Sequence, residues 1–511
     1  MIVAAGKMAA ATHSPQASRA AIKVMEGGGN AVDGAVAASL MLGVVEPGWN
    51  GIGGGGFAVI YDGSRAYVLD YREASPKAAN IDLFSSEVEL AEGYKAIAVP
   101  GTLKGLWELH RRFGRASWER LLGMAAEAAR EWRATSLWTR CMEAGLHNSG
   151  RKLQVSEEGR EWLRGGARGQ ARLASLLKSV GEGGVEEFYE GWVSEKVEEV
   201  VERGGGILRR EDLEAYTPIW REPVETRVEL GGERFRILSA PPPCSGAVIL
   251  EALKILWMAG ADKCSWKEYA ELLIRTLGHA LRERRTKIWD PVRKPIDLDS
   301  MLSGKHMEEV VGSDGCRTST SNDEGGTSHI SVADGEGMWV SLTESIECFL
   351  GSGVVIEGVI MNDQMHDFDL DPNSPNSVKP SVKPASSMSP TIILAGNDEP
   401  VMAIGASGGY RIISSIIQVL AGIFFRGLGA AESVLMPRIH LNGSEALYEE
   451  GVQREFLEAA ESLGLNHRRK HVLELYPGTD IYFGSVEIVH KVGGELTAVS
   501  DVRKQSGAAA K

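Results

Sequence analysis

Cysteine is scarce. Five residues in 511, Cys141, Cys244, Cys264, Cys316 and Cys348, form an odd, widely spaced set without a C-x-x-C pair. A disulfide framework and a cysteine-based zinc site are therefore not expected, nor is any metal or cofactor. Long hydrophobic runs are missing as well. No stretch reaches the ~18 apolar residues of a membrane-spanning helix, so no membrane span is expected. The first residues, Met1-Ile2-Val3-Ala4-Ala5-Gly6-Lys7-Met8, lack a basic leader followed by an unbroken apolar core. They make a poor signal peptide, and a cytoplasmic location is expected, with export left open. Positive charge is in deficit, with 55 Lys and Arg against 69 Asp and Glu and a net charge of -14. A nucleic-acid binder needs a basic stripe. The runs Arg282-Glu283-Arg284-Arg285 and His467-Arg468-Arg469-Lys470 are short, and both read as solvated helix or loop faces. No nucleic-acid partner is expected.

What the chain does have is enough apolar residue, 43%, for a sizeable core, with 24% charged. Its length suits two or three average domains or one large layered domain. The 61 glycines make up about 12% of the chain against a typical ~7%. They cluster at turns without a repeat, which predicts tight turns and close backbone approaches. Ala17 to Val45 has helical periodicity broken at Gly27-Gly28-Gly29-Asn30. Gly51, Gly53 and Gly56 formally spell G-x-G-x-x-G, but they precede the strand Phe57 to Tyr61 and follow a helix. A dinucleotide fold needs strand, glycines, helix, so that reading is rejected. Leu103 to about Val201 reads as mostly helical, strands resume near Val224 to Leu238, and Val248 to Arg285 is helical again. Helices flank alternating strands in both halves, which predicts a layered α+β fold, not a βαβ repeat.

The most informative junction is Gly326-Thr327. A polar, glycine-rich tract from Gly312 to Gly326 gives way to the alternating strand Ser328 to Val332, and a turn at Asp334-Gly335-Glu336-Gly337 leads into a second one, Met338 to Ser345. A flexible tract feeding a hydroxyl residue at the head of a hairpin suits a chain that cuts itself there, placing a new amine beside a nucleophilic hydroxyl. On pattern alone an ordinary loop before a hairpin is the favoured reading. Alternation puts Thr343 and Ser345 on one face, across from Thr327.

Further segments stand in a telling order. They are Gly28 to Ala37, Gly51 to Phe57, Asp70-Tyr71-Arg72-Glu73, Ala98-Val99-Pro100-Gly101, Trp220-Arg221-Glu222-Pro223, Pro241-Pro242-Pro243 with Ser245-Gly246, Thr327-Ser328-His329, Asn362 with Gln364 and Asp367, Ser386 to Thr391, and Gly408-Gly409. Together they resemble the γ-glutamyltranspeptidase family of N-terminal-nucleophile hydrolases over nearly the whole chain. The resemblance implies a four-layer αββα sandwich and self-cleavage between Gly326 and Thr327. It implies a heterodimer of residues 1–326 and 327–511 forming one layered fold. The freed Thr327 would be the nucleophile with its own α-amine as base, forming a γ-glutamyl ester from amides such as glutathione. Water or an amino-acid or dipeptide acceptor would take the acyl group.

The resemblance also implies residue roles. Gly408 and Gly409 match an oxyanion hole, where a simple turn into a helix is the alternative. Arg72 matches the arginine for the substrate carboxylate, where a surface pair with Glu73 is the alternative. Ser386 and Ser387 match its hydroxyl partners, and Gln364 and Asp367 match groups holding the substrate ammonium. Ser345 stands where the family usually has a second Thr.

Two departures follow. Glu347 replaces the Asn that typically contacts the ammonium, which adds negative charge. The stretch Asp369 to Ala385 is short for the family's lid loop and has no Tyr to close the pocket, so an open site favouring hydrolysis is expected. Related amidohydrolases, including cephalosporin-type or small dicarboxylic acylases, remain the alternative, with a non-catalytic binding protein on the same scaffold behind them.

Overall fold

Strands from both sides of residue 326 assemble into two seven-stranded antiparallel sheets in a computed structural model that describes residues 2–164, 170–311, 318 and 325–511. The first sheet runs Val3–Gly6, Glu495–Ser500, Ser485–Val492, Glu399–Ser407, Thr391–Ala395, Glu233–Ser239, Val224–Leu230. The second runs Gly507–Ala510, Ala9–Thr12, Gly326–Ala333, Trp339–Glu347, Gly55–Tyr61, Ala66–Tyr71, Ile219–Arg221. The sheets pack face to face, and a helical layer covers each outer face. This is the four-layer αββα sandwich expected from the sequence. The polar tract before the junction lies outside the described residues except at Thr318, Gly325 and Gly326.

The helix Ala31–Val45 is buried along nearly its whole length and lies against the strands Gly326–Ala333 and Trp339–Glu347. A helix apolar on all sides is stable only inside a core. Its start is fixed by a reciprocal cap in which the Asn30 side chain accepts from the Asp33 amide and Asp33 accepts from the Asn30 amide. On the other outer face, Arg411–Arg426 packs on the strand Glu399–Ser407 and ends at Gly427, which adopts φ +67°.

Alternation along the hairpin divides its side chains between two buried environments. Ile330, Val332, Val340 and Leu342 join the core under the helix Ala31–Val45. His329, Ser331 and Ser341 face the other sheet, where Ser331 Oγ donates to the Ala403 and Glu487 carbonyls and Ser341 Oγ to that of Ile404. The polar side of these strands meets a second sheet, not solvent. Thr327 and Ser345 lie on that same side. Among the described residues no helix is long and apolar enough to cross a membrane.

Candidate active site

The hairpin register sets Thr327 opposite Ser345 and Gly326 opposite Glu347, so Ile346 is an extra residue that kinks the strand at the junction. Glu347 accordingly takes φ +77°, a conformation side chains rarely adopt. The kink brings the Ser345 hydroxyl onto the Gly326 carbonyl, to which it donates at 2.6 Å. Thr327 Oγ1 lies 3.4 Å from Ser345 Oγ, which also accepts from the Glu347 amide at 2.8 Å. Thr327 is 2% exposed. A Cβ on Gly326 would stand 2.9 Å from Trp49 Cδ1 and 3.0 Å from the Glu347 carbonyl oxygen, so the bond is pressed into a slot that only glycine fits.

Gly408 and Gly409 end the strand Glu399–Ser407, with φ +116° and +57°, and lead into the helix Arg411–Arg426. Gly408 lines a cavity of about 30 Å³ with Gly325, Trp49, Arg411, Gly484 and Lys504. A Cβ at Gly408 would meet Gly484 Cα at 2.8 Å. The glycine pair turns the chain into a helix, and Gly408 does so at a cavity it shares with Gly325. A helix N-terminus beside that cavity favours negative charge.

From Glu347 a continuous polar chain runs to Arg72. Gln364 Nε2 donates to Glu347 Oε2 at 3.1 Å and to Asp367 Oδ2 at 2.7 Å, and Arg72 is ion-paired to Asp367. The short turn Gln364–Asp367 is held by Asn362, whose side chain bonds the backbone of Gly53, Ala98 and Gln364. Arg72 follows the strand Ala66–Tyr71 and is fully buried, which removes the surface alternative; Glu73 is beside it, at 3.6 Å, but equally buried. Burial pushes the Glu73 carboxyl up to about 7 despite Arg72. Arg72 Nη1, Gln364 Oε1 and both Glu73 oxygens have no hydrogen-bond partner. Buried polar atoms without partners are uncommon in folded proteins, and a bound ligand is one way to satisfy them. Ser386 and Ser387 are buried beside this group, as Ala385 between them and the loop accepts from Arg72 Nη2 at 3.5 Å.

A model of the family described as Gamma-glutamyltranspeptidase matches residues 17–511. The chain belongs to that family. Over 514 residues it is 31% identical to a protein of Bacillus subtilis strain 168 named glutathione hydrolase proenzyme, with 89% of this chain and 84% of that one covered. Its fold is similar to that of a cephalosporin acylase from Bacillus halodurans, with TM-score 0.89 at 24% identity over 100% of this chain and 97% of that one. It is also similar to a gamma-glutamyltranspeptidase from Pseudomonas nitroreducens, with TM-score 0.53 at 28% identity, covering 58% of this chain and 92% of that one. Membership of the gamma-glutamyltranspeptidase family makes the chain an enzyme.

Two expectations need correction. The run Arg282 to Arg285 is not uniformly a solvated face. Arg284 is 3% exposed, donates through Nε to Ser387 Oγ at 3.1 Å and through Nη2 to the Ala385 carbonyl at 2.9 Å, and lies over the Tyr410 ring. Two guanidinium groups thus converge on the Ala385 carbonyl. The missed signal was spacing: Leu277, Leu281 and Arg284 continue one helical stripe. The second run is solvated as expected, but on the strand Asn466–Arg469 and not on a helix or loop.

The short loop does not leave Arg72 open to solvent. The loop Asp369 to Ala385 is pinned by Ser75, which exchanges hydrogen bonds with Val382, and by Lys383, which pairs with Asp70 at 2.8 Å. It buries Arg72 without an aromatic lid.

Lys504 was not anticipated at all. It is buried, donates to the Thr327 carbonyl at 2.6 Å and faces Trp49, and burial lowers its ammonium to about 8. It lies in the polar C-terminal stretch Asp501 to Ser506, where no periodicity marks it.

Proposed function

We propose that this chain is a self-processing γ-glutamyl hydrolase and transpeptidase that works through an ester on Thr327. The observation that carries the reading is the unbroken polar chain from Thr327 through Ser345, Glu347, Gln364 and Asp367 to Arg72. It joins a hydroxyl at a kinked glycyl bond to a buried receptor in which donor and acceptor atoms alike lack a hydrogen bond.

In the first step Thr327 Oγ attacks the Gly326 carbonyl carbon. The Gly326–Thr327 C–N bond breaks, its nitrogen takes up the proton lost by the hydroxyl and becomes the Thr327 amine, and the chain is held as an ester that water then cleaves. Ser345 donates to the oxygen that gathers negative charge. The products are residues 1–326 and 327–511. Each of the two sheets takes strands from both fragments, so separation would open both sheets and the pair stays together.

The freed amine, with an unperturbed pKa of about 7.7–8.0, then takes the Thr327 hydroxyl proton near neutral pH. Thr327 Oγ attacks the γ-carbonyl of the substrate, and the amine product leaves with that proton. Gly408 and Gly409 stabilise the oxyanion. Water, or the amine of an amino acid or dipeptide, releases the acyl group. Arg72 and Arg284, with Ser386 and Ser387, form the cationic and hydroxyl side of the pocket for the α-carboxylate. Asp367, Glu347 and Gln364 form the acceptor side for the α-ammonium. Glutathione is the natural class of substrate for such a receptor.

The test is turnover of γ-glutamyl and glutaryl p-nitroanilides by the processed enzyme. A glutaryl group lacks the ammonium, so it leaves Asp367, Glu347 and Gln364 unmatched. Discrimination by about 10²-fold or more in kcat/KM in favour of the γ-glutamyl amide is expected, since unmatched buried polar groups are penalised heavily. Equal turnover of both would transfer the chain to the acylase reading.

A further inference from the structure

Three helices outside the proposed active centre bring four metal-ligating side chains together. Glu251 is on Gly246–Met258, His279 and Glu283 are on Trp266–Lys287, and His306 is on Gly304–Val311. His279 and Glu283 are four residues apart, which places them on one helix face. One ligand atom from each of the four lies within 4.8 Å of all the others. His279 Nε2 and His306 Nε2 are each 2.9 Å from the same oxygen, Glu251 Oε1. Ligands about 2.0–2.2 Å from a tetrahedral ion stand roughly 3.3–3.6 Å apart, so only small side-chain shifts separate this cluster from a coordination shell.

The cluster is badly satisfied as a hydrogen-bond network. Glu251 is fully buried and Glu283 is 9% exposed, and neither Glu251 Oε2 nor Glu283 Oε2 has a hydrogen-bond partner. Two buried carboxylates side by side are costly unless a cation joins them. Lys287, on the same helix, contributes positive charge only from an exposed position.

We propose that Glu251, His279, Glu283 and His306 bind one divalent transition-metal ion of the zinc class. Two imidazole nitrogens select against calcium and magnesium, which prefer all-oxygen shells, and two carboxylates with no thiolate select against soft ions. The expectation of no metal rested on cysteine spacing, which says nothing of a histidine–carboxylate site drawn from three helices. The ion clamps Gly304–Val311, the last described helix before the junction, to the two long helices. It also fixes Glu283, the neighbour of Arg284, which reaches Ser387 and Ala385.

The experiment uses full-length protein stripped with a chelator, dialysed, and titrated with Zn²⁺ by calorimetry, with Co²⁺ absorbance as a geometric probe. One ion per chain is expected, with a melting temperature that rises with free zinc and tetrahedral Co²⁺ bands lacking a thiolate charge-transfer band. His306→Ala and Glu283→Gln, checked for folding by circular dichroism, should each weaken binding by more than about 100-fold, because loss of outer-shell partners alone costs about 10–100-fold. Cys348→Ser should bind as the wild type does, since it alters a different group, Glu347, Cys348 and His366. Folded wild-type protein that takes up no zinc would overturn the proposal. So would one-to-one binding that survives both His306→Ala and Glu283→Gln, or binding that is lost in Cys348→Ser instead.

Discussion

Removing the Ser345 hydroxyl should nearly stop self-cleavage while leaving the fold in place. Ser345 Oγ donates to the Gly326 carbonyl at 2.6 Å, and that oxygen becomes the oxyanion when Thr327 attacks. Loss of one such donor costs about 10²–10³ in rate, or roughly 2.7–4 kcal/mol of barrier. A second effect acts on stability. The Glu347 amide, which bonds Ser345 Oγ at 2.8 Å, would be left buried without its acceptor, costing about 1–3 kcal/mol. The assay is the rate at which two fragments replace the single chain on a denaturing gel after refolding, with thermal melting run in parallel. Ser345→Ala should cleave slower by about two to three orders of magnitude. Ser345→Thr keeps the oxygen and adds a methyl group, so it should stay within about tenfold of wild type, less than 1.4 kcal/mol. Folded Ser345→Ala that matches the wild-type rate would refute the assignment of Ser345 as a donor to the reacting carbonyl.

Three other outcomes follow from the same geometry. Arg72→Lys keeps the charge but loses the planar fork, so kcat/KM for a γ-glutamyl anilide should fall by about 10–100-fold while cleavage at residue 326 persists; the comparison is one kinetic series and one gel. Gly326→Val should block processing, because its Cβ would meet Trp49 at 2.9 Å, and an unprocessed, folded variant on a gel with a normal circular dichroism spectrum checks this. His329 is held neutral between the sheets, bonded to Thr343 and Ser331, with burial lowering it to about 3. The unfolded chain binds the extra proton from about pH 6.5 downward and the folded chain does not. This site's contribution is therefore intact above about pH 6.5 and falls as pH drops, by up to about 1.4 kcal/mol per unit, until the folded site itself protonates near 3. Against His329→Asn, wild-type stability measured by denaturant titration should lose about one more proton's worth of slope between pH 6 and pH 4.

Strand alternation was enough to put Thr343 and Ser345 on one face across from Thr327, because a period of two fixes sidedness once the hairpin turn is placed; that Ser345 is the residue opposite Thr327 came only with the register. It could not say what that polar face meets. Polar alternation usually marks a solvated side, yet here Ser331 and Ser341 bond the backbone of a second sheet formed by strands far away in sequence. The motif order identified Arg72, Gln364 and Asp367, but not that Arg72 and Asp367 are ion-paired to each other. The short loop after Asp369 was legible as lacking an aromatic lid. Its closure depends on Ser75 and Asp70, roughly three hundred residues earlier, and local composition carries no trace of that. Arg284 was hidden by its neighbours, since a cluster of charges reads as exposed even when one member continues an apolar stripe. The four residues of the proposed metal site come from helices separated by loops, and only the His279–Glu283 spacing exists within one element.

The most direct measurement is intact-mass analysis with N-terminal sequencing of the purified protein and of Thr327→Ala. The account predicts two tightly associated fragments in the wild type, the smaller beginning at Thr327 with a free amine, and one uncut chain in the variant. A single persistent chain in both, or a small fragment that begins at another residue, would contradict it.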